Sequence, residues 1–345
     1  MRILVTGGAG LIGSHCAEYY ARKNAQVVVL DNLGRSELFS SQEKSVEHNW
    51  RYLKRYKNIE RIKGDVRSKK DILRAMGKGV DVVVHAAGQP GVSSSKCCPA
   101  EDFDINALGT FNVLESLRKR CPQATFIYCS SNKVYGANLN KIPLCKLKTR
   151  YVYKNCQGVS EDFPLGLSGR MPYGTSKFVG DLYAQEYAYS YGIKTGIFRM
   201  GCVYGERQFG FEQQGWETWF TIAALTGKMV TIFGDGRQVR DLLYVTDVVE
   251  AYDKFIRSDK KCGVYNIGGG IKNTVSLLEF LKYLEEETGK APKIRYKKWR
   301  QGDQKVYITD LRKIEKELKW QPKVGVRAGI KRIVKWVSEN INYFK

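Results

Sequence analysis

Met1-Arg2-Ile3-Leu4-Val5-Thr6-Gly7-Gly8-Ala9-Gly10-Leu11-Ile12-Gly13, with Asp31 eighteen residues further on, decides how this chain is read. Arg2 to Thr6 is a short apolar strand. The glycines follow at once, and a helix runs on through Ala21. Gly8, Gly10 and Gly13 satisfy the spacing G-x-G-x-x-G, and Gly7, Gly10 and Gly13 the wider G-x-x-G-x-x-G. Glycine lets a backbone turn sharply and approach a pyrophosphate, which the partial positive charge of the helix N-terminus then stabilises. The next strand, Gln26 to Leu30, ends at Asp31. A carboxylate there accepts from both ribose hydroxyls of NAD and repels the 2′-phosphate of NADP. Arg35 close by pulls the other way. The plain alternative, a tight turn in a parallel sheet, explains the glycines but not the acid that follows them in order.

Strand and helix signals continue to alternate. Ser36 to Asn58 is polar and helical in character, with Trp50, Leu53 and Tyr56 at the spacing of a packing stripe. Ile59 to Ile62 resumes the sheet. Asp65-Val66 follows, placed either to meet the adenine edge of a dinucleotide or to cap a helix near Ser68 to Met76. Val80 to His85 is a strand ending in Ala86-Ala87-Gly88, whose small side chains leave room for a cofactor. His85 reads as a buried structural histidine rather than a base. Pro99 to Arg120 is an amphipathic helix that carries Asn106. Ala124 to Cys129 delivers Ser130-Ser131-Asn132-Lys133-Val134-Tyr135-Gly136, where a serine hydroxyl can cap the following turn or reach a substrate hydroxyl. Ala137 to Arg170 reads as an irregular segment lying over the site. A helix through about Tyr191 and a strand, Lys194 to Arg199, complete the series, which predicts an α/β fold with a doubly wound parallel sheet.

That helix opens with Tyr173-Gly-Thr-Ser-Lys177. Residues four apart share a helix face. A free phenol titrates near 10, too high for a base at neutral pH, and a neighbouring ammonium is expected to lower it. Tyr173 can then take a proton from a sugar hydroxyl while a hydride leaves the carbon beneath. Alone, Tyr-x-x-x-Lys is a weak signal in a chain with 21 tyrosines. Its place after a Ser-rich strand end, late in a dinucleotide-binding half, is what gives it weight.

Beyond Arg199 the pattern changes. Gly205 to Gly215 is loop-like, Trp216 to Thr226 helical, Val230 to Phe233 a strand, and Gly234 to Asp241 a turn rich in donors. Arg240 there can grip a diphosphate with two parallel hydrogen bonds. Tyr244 to Ile256 and Val264 to Ile267 return to the first domain. Helices near Ser276 to Glu287 and Arg327 to Asn342 build a smaller one, with Arg300 and Asp303 in a loop. For each arginine a surface ion pair is the plainer role. The expected domains are 1–200 with about 242–268, and 201–241 with 269–345.

A net charge of +22 is large for 345 residues. It fits a solvated basic surface, or attraction of an anionic substrate such as a nucleotide sugar. The richest basic stretches, Arg51 to Lys63 and Lys293 to Arg300, lie in no nucleic-acid-binding signature, so no nucleic-acid partner is expected. No apolar run is long enough for a signal peptide or a membrane span. Nine scattered cysteines with no Cys-x-x-Cys suit reduced thiols in a cytoplasm and give no metal site.

Gly7 to Gly13, Asp31, Ser131, Tyr173 and Lys177 together resemble the extended short-chain dehydrogenase/reductase family, which acts on nucleotide-activated sugars; the likeness covers essentially the whole chain. It implies a Rossmann-like NAD-binding domain, a smaller C-terminal α/β domain for the nucleotide sugar, and a homo-oligomer. It implies a catalytic set of Ser131, Tyr173 and Lys177, with Asn106 supporting the lysine through water. Contacts to NAD would come from Gly7, Gly10, Leu11, Ile12, Gly13, Asp31, Asn32, Arg35, Asp65, Val66, Ala86, Ala87, Gly88, Asn106, Ser130, Tyr173, Lys177 and Met200. Contacts to substrate would come from Gln89, Ser131, Asn132, Lys133, Arg207, Gln208, Gln214, Arg240, Arg300 and Asp303. The family's dehydratases carry Asp-Glu after the catalytic hydroxyl residue. Asn132-Lys133 stands here instead, which disfavours loss of water. Ser131 to Gly136, Gln208 to Trp216 and Asp303 to Val306 resemble epimerases of CDP-linked sugars, so a CDP-sugar is favoured over the UDP-hexose of a 4-epimerase. A non-catalytic NAD- or RNA-binding protein is the reading of another class, and the intact Ser131, Tyr173 and Lys177 set argues against it.

Overall fold

The computed structural model describes residues 1–35, 43–166 and 168–344. Its elements, in chain order, begin with β1 (Arg2–Thr6), α1 (Leu11–Arg22), β2 (Gln26–Asp31), α2 (Glu43–Leu53), β3 (Ile59–Lys63), α3 (Lys69–Met76), β4 (Val82–His85) and α4 (Val92–Cys97). Next come α5 (Pro99–Phe103), one wide π turn (Asp104–Leu108), α6 (Gly109–Arg120) and β5 (Thr125–Ser131). A 3-10 stretch over Asn132–Lys141 leads to β6 (Leu144–Lys146), β7 (Tyr151–Tyr153), α7 (Met171–Tyr191) and β8 (Thr195–Met200). The rest of the chain contributes β9 (Cys202–Tyr204), α8 (Trp216–Thr226), β10 (Met229–Phe233), β11 (Val239–Tyr244), α9 (Val245–Arg257), β12 (Cys262–Ile267), β13 (Thr274–Ser276), α10 (Leu277–Thr288), β14 (Lys293–Lys297), β15 (Val306–Tyr307), α11 (Arg312–Leu318) and α12 (Val326–Glu339).

The chain divides into two compact units. The first holds Met1–Val134, Met171–Arg199 and Val249–Tyr265. Its seven strands lie in the order β12-β8-β5-β4-β1-β2-β3, with β3, β2, β1, β4 and β5 paired in parallel. Helices cover both faces of such a sheet, so its central strands are apolar throughout rather than alternating. Ile3, Leu4 and Val5 of β1 and Val83 and Val84 of β4 have no exposed surface. Strand order reverses between β1 and β4, and the crevice at the carboxyl ends of two such strands is where this architecture binds ligands.

The second unit holds Tyr135–Arg170, Met200–Val248 and the chain from Asn266 onward. In it β11 pairs with β13, β15 and β9, and β10 pairs in parallel with β14. Ser276 caps α10 through a reciprocal bond with Glu279.

Several expectations are corrected. The domain boundary at residue 200 fails for 135–170, which belongs with the second unit and is not irregular throughout. Its β6–β7 hairpin is tied there by Tyr151 O–H to Asp235 (2.9 Å) and Tyr153 O–H to the Val306 carbonyl (3.0 Å), while the Tyr135 phenol donates to Asn266 Oδ1 at 2.7 Å. Residues 242–248 also fall in the second unit. Arg240 and Asp241 lie on β11, not in a turn. Ser68, not Asp65, caps α3, accepting from Asp71 N–H at 3.2 Å. The single helix expected over Pro99 to Arg120 widens by one π turn at Asn106. Of the helical stretch expected from Ser36, residues 36–42 lie outside those described.

His85 is fully buried, as its expected structural role requires. Its ring nitrogens meet Thr6 Oγ1 at 2.7 Å and Thr110 Oγ1 at 3.0 Å. Burial, reinforced by Lys177, pushes it down to about 3. The unfolded chain therefore binds a proton that the folded chain refuses as pH falls from about 6.5 towards 3, so this contribution to stability is complete above 6.5 and is lost as pH falls, by on the order of 1 kcal/mol per pH unit. Thermal melts at pH 7 and pH 5 should show a larger drop for the wild type than for His85→Gln; equal drops would contradict this.

Candidate active site

The glycine turn is built by close approach of backbone to backbone. Gly7 has a φ of +70°, and a Cβ on it would lie 2.5 Å from Ala87 N. A Cβ on Gly13 would lie 2.1 Å from the Gly7 carbonyl oxygen. Both positions admit only glycine. The turn leads into α1, whose N-cap, Gly10, offers no side-chain acceptor. The first-turn N–H groups of Leu11, Ile12 and Gly13 have no partner within the helix and are available to an anion.

Asp31 ends β2 beside this turn. Its carboxylate accepts Ala9 N–H and Leu33 N–H, each at 2.8 Å, one on each oxygen. Each oxygen retains a lone pair for a ribose hydroxyl. Burial pushes the Asp31 carboxyl up, while the two N–H groups and Arg35 oppose the rise. Asn32 Nδ2 donates to Asp65 Oδ2 at 2.8 Å. Burial would raise the Asp65 carboxyl, but Arg67 and Asn32 outweigh it and hold it low.

Gly7, Gly10, Asp31, Asn32 and Asp65 line an open cleft in the first unit. Of the residues expected to touch a dinucleotide, Gly7, Gly10, Asp31, Asn32, Arg35, Asp65, Val66, Ala86, Ala87 and Gly88 are on its walls. Ala9, Leu30, Gly34, Val46, Gly64, Pro90 and Ile105 complete them and were not foreseen. Gly34, three residues past the acid, was within reach of the motif. Val46, Pro90 and Ile105 carry no local signal, because they are ordinary packing residues whose place depends on the fold.

Gly88 joins the cleft to the candidate catalytic residues. A Cβ on it would lie 2.8 Å from Asn106 Oδ1 and 3.8 Å from Lys177 Nζ. Lys177 is buried, with its ammonium 4.5 Å from the centre of the Tyr128 ring, and the Tyr128 phenol donates to the Lys177 carbonyl. Burial pushes the lysine down to about 8, against Cys129, Asp102 and Asp181. The Ser131 hydroxyl is near enough to the Tyr173 phenol to favour its ionised form. Ser131 Oγ also accepts Lys133 N–H at 3.2 Å, so it both steadies the turn and faces the phenol. Ser130 donates to Asp181 at 2.6 Å, and Arg199 grips the same carboxylate with two bonds of 3.0 Å.

The expected lowering of the Tyr173 phenol by Lys177 is not found. Burial pushes it up to about 12; the Ser131 hydroxyl opposes this, and Asp102 and Cys129 add to it. The phenol is protonated at neutral pH in the protein alone, because loss of solvent outweighs its partners.

Gln89 was expected to meet substrate. Its side chain is 2 % exposed and is taken up by Gly91 and Ser94, which fixes the segment leading into α4. Asn132 is buried beside Ser131, and Lys133 is half-buried. Within the second unit, Gln208 accepts from Thr218 Oγ1 at 2.6 Å and donates to the Val203 carbonyl at 3.3 Å. Arg207 is buried with a φ of +63°, Gln214 bridges to Phe211, and Met200 ends β8 half-buried. Arg240 donates to the Val239 carbonyl and is half-buried. Arg300 lies over the Phe233 ring at 4.2 Å and pairs with Asp303 at 3.5 Å, the surface ion pair weighed above.

A parallel sheet with a glycine cradle at its switch point and an acid after β2 is the arrangement of a dinucleotide-binding protein. Comparison with known proteins agrees. The model of the NAD dependent epimerase/dehydratase family matches residues 3–268, and the chain belongs to that family. It is 35% identical to the CDP-paratose 2-epimerase of Salmonella typhi over 98% of this chain and 99% of the relative. It is 34% identical to a putative UDP-glucose 4-epimerase of Methanocaldococcus jannaschii, with the same shares covered. The crystal structure of a Thermus thermophilus UDP-glucose 4-epimerase in complex with NAD superposes with a TM-score of 0.81 at 31% identity, covering 98% of this chain and 99% of that one. These relatives are named epimerases, which are isomerases, and this chain is an enzyme of that kind with NAD as its cofactor.

Among the described residues, no three His, Cys, Asp or Glu are grouped to hold a metal ion, and no helix is long and apolar enough to cross a membrane. None of the nine cysteines is in a disulfide. The cradle and Asp31 fit NAD. Asp31→Ala should weaken NAD binding about tenfold to a hundredfold, the range for a hydrogen bond to a charged group. Calorimetric titration checks this; unchanged affinity would remove Asp31 from the ribose site.

Proposed function

We propose that the protein inverts one ring carbon of a nucleotide-linked sugar, with CDP-paratose to CDP-tyvelose, inversion at carbon 2, as the favoured reaction. The observation that carries this reading is the convergence of Ser131, Tyr173 and Lys177 behind Gly88, which lies on the wall of the dinucleotide cleft: Lys177 Nζ borders Gly88, and the Ser131 hydroxyl acts on the Tyr173 phenol. Support for the CDP-sugar comes from the 35% identity to the Salmonella typhi enzyme over nearly the whole length. Asn132-Lys133, in place of an acidic pair, supports inversion without loss of water.

Gly7 to Gly13 and Asp31 would hold the dinucleotide, and Lys177, behind Gly88, would steady the reacting end of the site. NAD, when bound, supplies a reversible two-electron acceptor for the ring carbon. Tyr173 takes the proton of the hydroxyl on that carbon and returns it once the oxidised sugar has presented its other face. Ser131 hydrogen-bonds the same oxygen and keeps the phenol aimed at it. Lys177 stabilises the phenolate as the proton moves. Arg240 and Arg300 are the candidate grips on the diphosphate, and Arg300 must exchange Asp303 for it.

The similarity to UDP-glucose 4-epimerases supports a second reading, inversion at carbon 4 of a UDP-hexose. Free thiols support a cytoplasmic enzyme. Phe103, Leu108, Leu182 and Tyr183, exposed on helices that pack together in the first unit, support a homo-oligomer. Incubation with separate CDP- and UDP-sugars, followed by NMR, should show inversion of the CDP-sugar; inversion of UDP-hexoses alone would favour the second reading. Tyr173→Phe should lower turnover a hundredfold or more, by about the worth of a general base, while NAD still binds. Near-normal turnover would refute the role of the phenol.

A further inference from the structure

The helix that carries Tyr173 and Lys177 faces a carboxylate that the reading above does not use. Asp102, on α5, is 1 % exposed. Ser176 of α7 donates to its Oδ2 at 2.5 Å, and Asn106 of the π turn donates to its Oδ1 at 3.1 Å. Both donors are neutral. Ser176 adjoins Lys177 in the chain and also donates to the Tyr173 carbonyl at 3.0 Å. Asn106 Oδ1 accepts Gln89 N–H at 2.9 Å and faces the Gly88 wall that Lys177 Nζ also borders. The π turn is what brings Asn106 into this position, and such turns recur at functional sites.

The nearest comparable acid, Asp181, is matched: Arg199 grips it with two bonds and Ser130 donates to it. Asp102 meets two neutral donors instead of an arginine, in a region poor in water, where charges act strongly on one another. We infer that Asp102 is a positioning residue, the fixed negative charge against which the protonation of Tyr173 and Lys177 is set. This rests on the roles proposed above for those two residues. A negative charge holds a proton on each of them. Asp102 raises both the phenol and the ammonium, and Lys177 in turn opposes the upward push of burial on Asp102.

Other groups face the same pair. Lys177 lies against the Tyr128 ring of β5 and is acted on electrostatically by the Cys129 thiol of β5 and by Asp181 of its own helix, while it acts on His85 of β4. Tyr173 meets Ser131, Cys129 and Tyr128. Cys129 lies within β5 and bonds the Tyr252 phenol, and Asp181 is paired, so Asp102 is the acid whose removal leaves the other partners in place.

The sign of the effect is distinctive. Without the charge, Tyr173 and Lys177 both give up their protons more easily, so both limbs of the pH–rate profile move to lower pH. A residue that only supported the fold would lower the whole profile and leave both limbs where they were.

The test uses the NAD-loaded enzyme with CDP-paratose, comparing wild type, Asp102→Asn and Asp102→Ser. Both variants should shift both limbs down by about half a unit to one unit, the scale of one nearby charge in a partly shielded site. The carbon-13 shift of the Lys177 ε-carbon, assigned with Lys177→Arg, should titrate below the wild-type midpoint in the same variants. Any other pattern of limbs, or an unmoved lysine midpoint, overturns the inference. A chain that folds with neither substitution makes Asp102 structural and overturns it too. A wild type that turns over no nucleotide sugar refutes the proposed reaction instead, and the lysine titration still decides the role of Asp102.

Discussion

The approach of the Gly7 turn to Ala87 on one side and Gly13 on the other is the constraint on which the first unit depends. It leaves no room for a single side-chain carbon. With that contact made, β1 and β4 end level with each other and α1 begins directly over the crevice between them. The small residues Ala86 to Gly88 then serve two purposes. They accept the glycine turn, and they leave the cleft wall thin enough for Lys177 and Asn106 to stand behind it. One packing requirement thus fixes both where a dinucleotide can lie and where a proton-transferring side chain can meet it.

Burial sets the chemistry of that meeting. Tyr173 and Lys177 are driven in opposite directions by loss of solvent, the phenol up to about 12 and the ammonium down to about 8, each towards its neutral form. The protein alone therefore holds a neutral phenol, not a preformed phenolate, beside the lysine. Ser131 is the partner that eases the phenol towards ionisation, and Asp102 is the one that resists it. The reactive state has to be reached with cofactor and substrate in place. This suits the proposed oxidation and re-reduction of a sugar that is not released between the two steps.

Much of this was legible in the sequence because the relevant signals are local. Gly7 to Gly13 and Asp31 are separated by one helix and one strand, and Tyr173 and Lys177 by one helical turn. The seven-stranded sheet follows from the alternation of strands and helices. What was not legible depends on contacts between distant residues. The allegiance of 135–170 to the second unit rests on partners more than eighty residues away, such as Asp235 and Val306. Asp102 gives no signal in an ordinary amphipathic helix. It becomes visible only when α7 brings Ser176 against it. Arg300 shows the same limit: its charge is plain in the sequence, while its pairing with Asp303 needs the loop to be drawn.

The central claim is that the sugar is inverted by removing and returning the hydrogen on carbon within a closed site, with Tyr173 handling only the hydroxyl proton. Running the inversion of CDP-paratose in deuterium oxide and weighing the product tests it most directly. The account predicts no deuterium bound to the inverted carbon after many turnovers. One deuterium gained at that carbon for each inversion would mean that a carbon-bound proton exchanges with solvent, and would contradict it.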